Sequence, residues 1–217
     1  TGASPASWPT AASARPWPAA PKMPTPAPPP SLPSADAAFG AWKASLEFDQ
    51  FDRMHFPTRG WAAQLGYFDS SEAGYSRADA NLQGAFTLSG TVFNARLRYT
   101  ASPRGVLPVY DAGYLGGFLN MTAYAPNQVI GDDIRYLGLR TERIIGHLPL
   151  GLRGDMRLGF ALEAAKVGAR YAESTGDGLL NSAAIYLGGQ TPLGQAYLGF
   201  GYSTSGVSNL FLFIGTP

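Results

Sequence analysis

The chain has no cysteine, which excludes a disulfide framework, thiolate chemistry and a zinc site built on cysteine. Charge is scarce as well: 14% of residues are Asp, Glu, Lys or Arg, against roughly 25% in an average soluble domain. A soluble helical protein needs charged solvent faces and little glycine inside its elements, and this sequence offers the reverse. No run approaches the ~18–20 apolar residues that cross a bilayer as a helix. Net charge is +1, and no basic cluster offers a track for a phosphate backbone, so nothing points to nucleic acid.

What the chain holds in quantity is glycine (27), proline (18), phenylalanine (12) and tyrosine (11). Rich in glycine and aromatics, poor in charge and without a long apolar run, it has the composition of a transmembrane β-barrel. Composition changes near residue 40. Eleven of the prolines lie between Pro5 and Pro33, among Ala, Ser and Thr, which predicts extended polyproline-II chain over Pro24 to Pro33. Residues 1–40 therefore read as a Pro/Ala-rich arm or linker, and 41–217 as the barrel domain. Trp8 and Trp17 leave open that the arm contacts another protein or the barrel mouth. The chain opens on Thr1 with no basic and apolar leader, as expected of a processed chain or a fragment.

From Lys43 onward, short segments alternate with period two and are divided by Gly, Asp, Ser and Pro. In Asp155 to Ala164, Met156, Leu158, Phe160, Leu162 and Ala164 fall on one face, opposite Asp155, Arg157 and Glu163. Arg77 to Leu88 and Thr91 to Thr100 sort the same way. Six more segments, Lys43–Asp52, Arg59–Asp69, Asp133–Ile144, Asn181–Gln190, Gly194–Ser203 and Ser208–Gly215, bring the expected strands to nine. Tight turns are expected at Ser89-Gly90 and Thr191 to Gly194, and longer loops at Ser102–Asp132 and Val167–Leu180, the alternation of an outer-membrane barrel with its turns in the periplasm.

Alternation alone does not say which face meets water. The shortage of Lys and Glu does, because a water-facing outer surface on nine strands needs more of both. A Lys or Arg in the middle of a lipid face costs roughly 2–4 kcal/mol. The apolar faces are therefore expected outward, with Trp42, Trp61, Tyr67, Tyr99, Tyr124 and Tyr202 near strand ends in an aromatic girdle. Glu47, Arg96, Arg98, Arg140, Glu142, Arg157 and Glu163 then face the lumen.

Phe56-Pro57-Thr58-Arg59-Gly60 follows Asp52-Arg53, Gly116-Gly117-Phe118-Leu119-Asn120-Met121-Thr122-Ala123-Tyr124 lies in a long loop, and Gln190 to Gly194, Gly199 to Tyr202 and Ser208 to Gly215 close the chain. In this order the pieces resemble the C-terminal half of the bacterial surface-antigen barrels, the outer-membrane assembly factors and two-partner-secretion translocators. The loop segment is most similar to the branch fused to patatin-like phospholipases. The resemblance covers about residues 44–215 and implies an outer-membrane barrel of about sixteen strands, with Pro57, Arg59 and Gly60 as a family turn motif. It also implies a loop reaching into the lumen. The family's loop arginine is absent, with Asn120 or Met121 near its place, while Glu163 stands where the family has its partner aspartate. Periplasmic docking domains and a patatin domain are absent from the sequence, and it ends on Gly215-Thr216-Pro217 rather than an aromatic.

These readings make the chain an all-β transmembrane antiparallel barrel segment of about eight or nine strands. Closure by a second copy to about sixteen strands is the expectation, with closure as eight strands alone or by another protein as the alternatives. The best candidate site is in the lumen, where the loop from Gly113 to Tyr124, with Gly116, Gly117, Asn120 and Tyr124, meets Glu163, Arg96, Arg98 and Arg157. A structural plug is preferred there over a gate. His55 and His147 read as polar turn residues, since no Gly-x-Ser-x-Gly elbow accompanies them. Asp132-Asp133 and Glu173 with Asp177 read as solvated loop charge rather than calcium ligands. No catalytic residue, metal or cofactor is expected. The expected role is a scaffold, anchor or conduit in the bacterial outer membrane, in contact with lipid and lipopolysaccharide and with its arm in the periplasm; the alternative is a pore for transport or protein insertion.

Overall fold

The structure, a computed structural model, describes residues 40–53, 56–147, 154–168, 178–191 and 194–215. The Pro-rich segment, His55, Glu173 and Asp177 lie outside these residues. Eleven strands follow in chain order: β1 (Trp42–Asp49), β2 (Gly60–Ser70), β3 (Tyr75–Leu88), β4 (Thr91–Arg104), β5 (Gly113–Leu115), β6 (Val129–Gly131), β7 (Ile134–His147), β8 (Asp155–Val167), β9 (Leu179–Thr191), β10 (Gly194–Tyr202) and β11 (Ser208–Ile214). Nine of them form one antiparallel sheet in the order β1-β2-β3-β4-β7-β8-β9-β10-β11, and each corresponds to an expected strand. β5 and β6 pair only with each other, inside the β4–β7 connection.

The register converts alternation into two chemically distinct faces. One cross-strand row runs Glu47, Gln64, Asn81, Arg98, Tyr136 and Ala165. Its neighbour runs Asp49, Ala62, Gln83, Arg96, Gly138, Glu163 and Ser182. The opposite face carries Leu46, Leu65, Leu82, Leu97, Leu139, Leu162, Leu187, Leu198 and Leu212, most of them well exposed. On that face the charged residues Asp69, Arg104, Arg135, Arg143 and Lys166 all fall within five residues of a strand end. The Trp42 and Tyr67 rings pack there at 5.1 Å, tilted by 40°, and Trp61, Tyr99 and Tyr202 are exposed on it. Tyr124 departs from the expected girdle: it is 1% exposed, beneath the loop on the polar face.

The packed interior lies on the polar face of β7 to β11. One cluster gathers Leu115, Met121, Ala123, Tyr124 and Val129 of the loop against Ile134, Tyr136, Ala165, Val167 and Leu180 of the sheet. A second joins Phe56 and Leu119 to Ala161, Ala184, Tyr186 and Tyr197.

The sheet is not closed, since neither β1 nor β11 has a second neighbour among the described residues. With nine antiparallel strands, β1 and β11 run in the same direction. Trp42 pairs with Asp69 beside the 71–74 turn, at the end that carries the long β4–β7 loop. Ile214 pairs with Ala196 beside the β9–β10 turn, at the opposite end. Two copies would make eighteen strands rather than sixteen, and copies inserted in the same orientation would meet β1 to β11 in parallel.

Candidate functional site

The long loop reaches the sheet through backbone amides rather than through a cation. Glu163, in the middle of β8, is 4% exposed. Its Oε1 accepts the Met121 N–H at 2.9 Å, and its Oε2 accepts the Thr122 N–H at 2.6 Å. The Tyr136 hydroxyl donates to the same Oε1 at 2.9 Å. A carboxylate taken out of water is tolerable when most of its lone pairs are engaged, and these three donors engage three of its roughly four sites. Ser182, the next residue in the row, accepts the Ala123 N–H through its Oγ at 2.9 Å. Three successive loop amides are thereby tied to two neighbouring strands.

Two glycines make the approach possible. A Cβ on Gly138 would stand 2.4 Å from the Tyr136 hydroxyl, so the bare backbone lets that side chain lie across to Glu163. A Cβ on Gly201 would stand 2.7 Å from the Thr122 carbonyl, so β10 accommodates the loop backbone directly. Within the loop, the Gly116 N–H donates to the Asn120 carbonyl at 2.7 Å and the Gly117 N–H to the Tyr124 carbonyl at 2.9 Å. These bonds fold 116–124 into the compact turn that exposes its amides to Glu163. The Tyr124 hydroxyl lies 3.2 Å from the Ser203 and Ser205 hydroxyls at the β10–β11 turn.

The arginines divide between partners. Arg98 donates to the Asn120 side-chain carbonyl, joining the loop to β4. Arg96 instead donates to Asn81 at 3.1 Å. Arg157 lies 4.6 Å above the Phe56 ring, a cation–π contact with the β1–β2 connection rather than with the loop. Arg140 sits 3.8 Å from Glu142, whose Oε1 accepts the Tyr186 hydroxyl at 2.8 Å.

The turn motif is held by a residue outside it. Asp52 accepts the Thr58 hydroxyl at 2.5 Å and the N–H groups of Thr58 and Arg59 at 2.9 and 3.0 Å. The Thr58 hydroxyl, followed by the two backbone donors and the nearby Arg53, pulls the exposed Asp52 carboxyl from 3.8 down to about 2. Arg59 is exposed and Pro57 half-buried, while Gly60 opens β2. Phe56, beside the motif, is 7% exposed and packs on Tyr197 at 5.6 Å.

Sequence reasoning missed Tyr136, Ser182, Phe56 and the aromatic stack of Phe118 on Phe211 and Tyr197, at 4.4 and 4.7 Å. Tyr136 carried a signal, because it shares the parity of Arg140 and Glu142 on β7; Ser182 carried none, since β9 holds no lumen candidate. His147 is exposed at the end of β7, with Nδ1 3.6 Å from Asp155. Asp133 is paired with Arg135 at 3.0 Å.

No family model matches the chain, and no curated protein matches it. Among solved structures, it is similar to the crystal structure of BamA from Haemophilus ducreyi lacking POTRA domains 1–3, with a TM-score of 0.65 at 14% identity. The fold is BamA-like. The match covers 79% of this chain and 41% of that one, so the chain spans less than half the length of the BamA structure it matches.

Proposed function

We propose that the chain forms part of the wall of a bacterial outer-membrane β-barrel, its apolar face in lipid and lipopolysaccharide and its polar face lining the lumen. In this reading it is a scaffold, anchor or conduit for a partner rather than an enzyme. The observation that carries the proposal is the separation of faces: Glu163 and Arg157 on one side of β8, Leu158, Phe160 and Leu162 on the other. β3, β4 and β7 are 14 residues long, more than the ~9–11 that a tilted strand needs to cross. The loop bound to Glu163, Ser182 and Arg98 supports a fixed plug over a mobile gate. The likeness of the Gly116 to Tyr124 segment to the patatin-fused branch belongs to this reading as an expectation from the sequence.

Open strand edges are not tolerated in hydrocarbon, so the sheet requires completion. A two-copy barrel with both copies in one orientation would carry two parallel seams. A complementing sheet with an odd number of strands closes with antiparallel ladders throughout, as bacterial outer-membrane barrels do. That completion is the reading we carry.

The absence of cysteine makes the test clean. Single cysteines at Leu162 and Ala161 of the full chain, folded in lipid and spin-labelled, should differ. The label at 162 should be relaxed by lipid-soluble oxygen, and the label at 161 should be shielded from it. Equal accessibility, or a folded chain that stays in solution without detergent or lipid, removes the proposal.

A further inference from the structure

Between the β1–β2 connection, the re-entrant loop and the sheet lies a cavity of about 130 Å³. Asn94 and Arg96 of β4, Arg140 of β7 and Gln195 of β10 line it, with Phe56 and Glu163 completing the part that matters here. Gln195 is 3% exposed. Its Oε1 accepts the Tyr197 hydroxyl at 2.6 Å, while its buried Nε2 has no hydrogen-bond partner, and neither has the buried Nδ2 of Asn94. Buried amide donors are rarely left unpaired, because each costs the desolvation of the group.

One guanidinium beside these donors also lacks a direct ion pair. Among the described residues no carboxylate lies within 4.0 Å of Arg96, whose Nε goes to a neutral amide. Arg140 has Glu142 at 3.8 Å, shared with the Tyr186 hydroxyl. Glu163, the carboxylate on the lining, already accepts three bonds. The lining thus presents the Arg96 guanidinium, without a direct carboxylate partner, beside two unpaired amide N–H groups. Water, at roughly 30 Å³ a molecule, fits the volume and would satisfy the amides, but it gives the Arg96 guanidinium no direct anionic partner.

We propose that this cavity is a binding site for a small oxyanion, a carboxylate or phosphate held by Arg96 and Arg140 and by the Asn94 and Gln195 amides. Charge-assisted bonds to an oxyanion pair the orphan donors and give Arg96 a direct anionic partner together.

The full chain, folded in detergent, is titrated calorimetrically with sodium phosphate and with sodium acetate, against sodium chloride at matched ionic strength. Saturable binding of one or both oxyanions, absent with chloride, is expected. Phosphate alone would mark a tetrahedral site, and acetate alone a carboxylate site. Arg96→Gln and Gln195→Met should each weaken binding about tenfold, while Arg143→Gln on the opposite face should leave it unchanged. Should Arg96→Gln fail to fold, Gln195→Met, which keeps the side-chain length and no charge change, decides alone. No saturable oxyanion binding, or undiminished affinity in Gln195→Met, overturns the proposal and leaves the cavity to water.

Discussion

Glu163 Oε2 accepts the backbone N–H of Thr122 at 2.6 Å, joining the middle of β8 to a loop residue 41 positions earlier. The contact needs no particular side chain at 121 or 122, only amides presented by the turn. It therefore supplies a physical account of how the loop is retained where the resembled family's arginine is missing. Replacing Glu163 by Gln keeps the size but exchanges an acceptor for an NH₂ group facing an N–H. Hydrogen bonds to charged groups contribute about 1.5–3 kcal/mol. Hydrogen exchange at Met121 and Thr122 should accelerate at least tenfold, with the β3–β4 ladder unchanged. Unaltered protection at both amides would show that the carboxylate does not hold the loop.

Gly201 offers an independent probe of the same docking. Gly201→Ala places a methyl group 2.7 Å from the Thr122 carbonyl, and such overpacking costs roughly 1–3 kcal/mol. Gly146→Ala meets only the end of Met156 at 3.9 Å and serves as the strand control. Denaturant unfolding should separate the two variants, with Gly201→Ala the less stable. Equal midpoints would mean that the loop does not lie on β10.

How much of this was legible beforehand follows from where the information sits. Most strands of the sheet were readable because polar and apolar residues alternate, as in Arg157, Leu158, Gly159, Phe160, while the uncharged β10 and β11 were marked by their Gly, aromatic and leucine spacing. The partnership of the loop with Glu163 was readable only through the family resemblance, since nothing in the local pattern links residues 121 and 163. Tyr136 could have been found from its parity with Arg140 and Glu142. Phe56 could not, because a connection has no period to reveal an inward side chain. The three-residue strands β5 and β6 were equally hidden: Gly113–Leu115 and Val129–Gly131 are too short for alternation to show. The girdle reading placed Tyr124 by its distance from strand ends, and tertiary burial in the loop overrode that cue.

The β1–β2 connection should respond to acid. Folding lowers the Asp52 carboxyl from 3.8 to about 2, so the ionised form is favoured in the closed turn. Its contribution is complete above about pH 4 and is lost as pH falls through 2. The Thr58 and Arg59 amide signals in the NMR spectrum should shift with a midpoint near 2, and Asp52→Asn should abolish the transition. A midpoint at the ordinary value near 3.8, with the Asp52 carboxyl titrating as if free, would show that it does not cap the turn.

The common direction of β1 and β11 bears on assembly. Ladder bonds between two copies in one orientation would have to be parallel at both seams, whereas every pairing within the sheet is antiparallel. The chain folded by itself in detergent is therefore expected to keep both edges unsatisfied. Backbone amides that face outward from β1 and β11 should exchange far faster than those of β8, which is paired on both sides. Native mass measurement should find no discrete particle of twice 22.9 kDa. A homogeneous two-copy particle with protected β1 and β11 amides would instead establish the eighteen-strand barrel and its parallel seams.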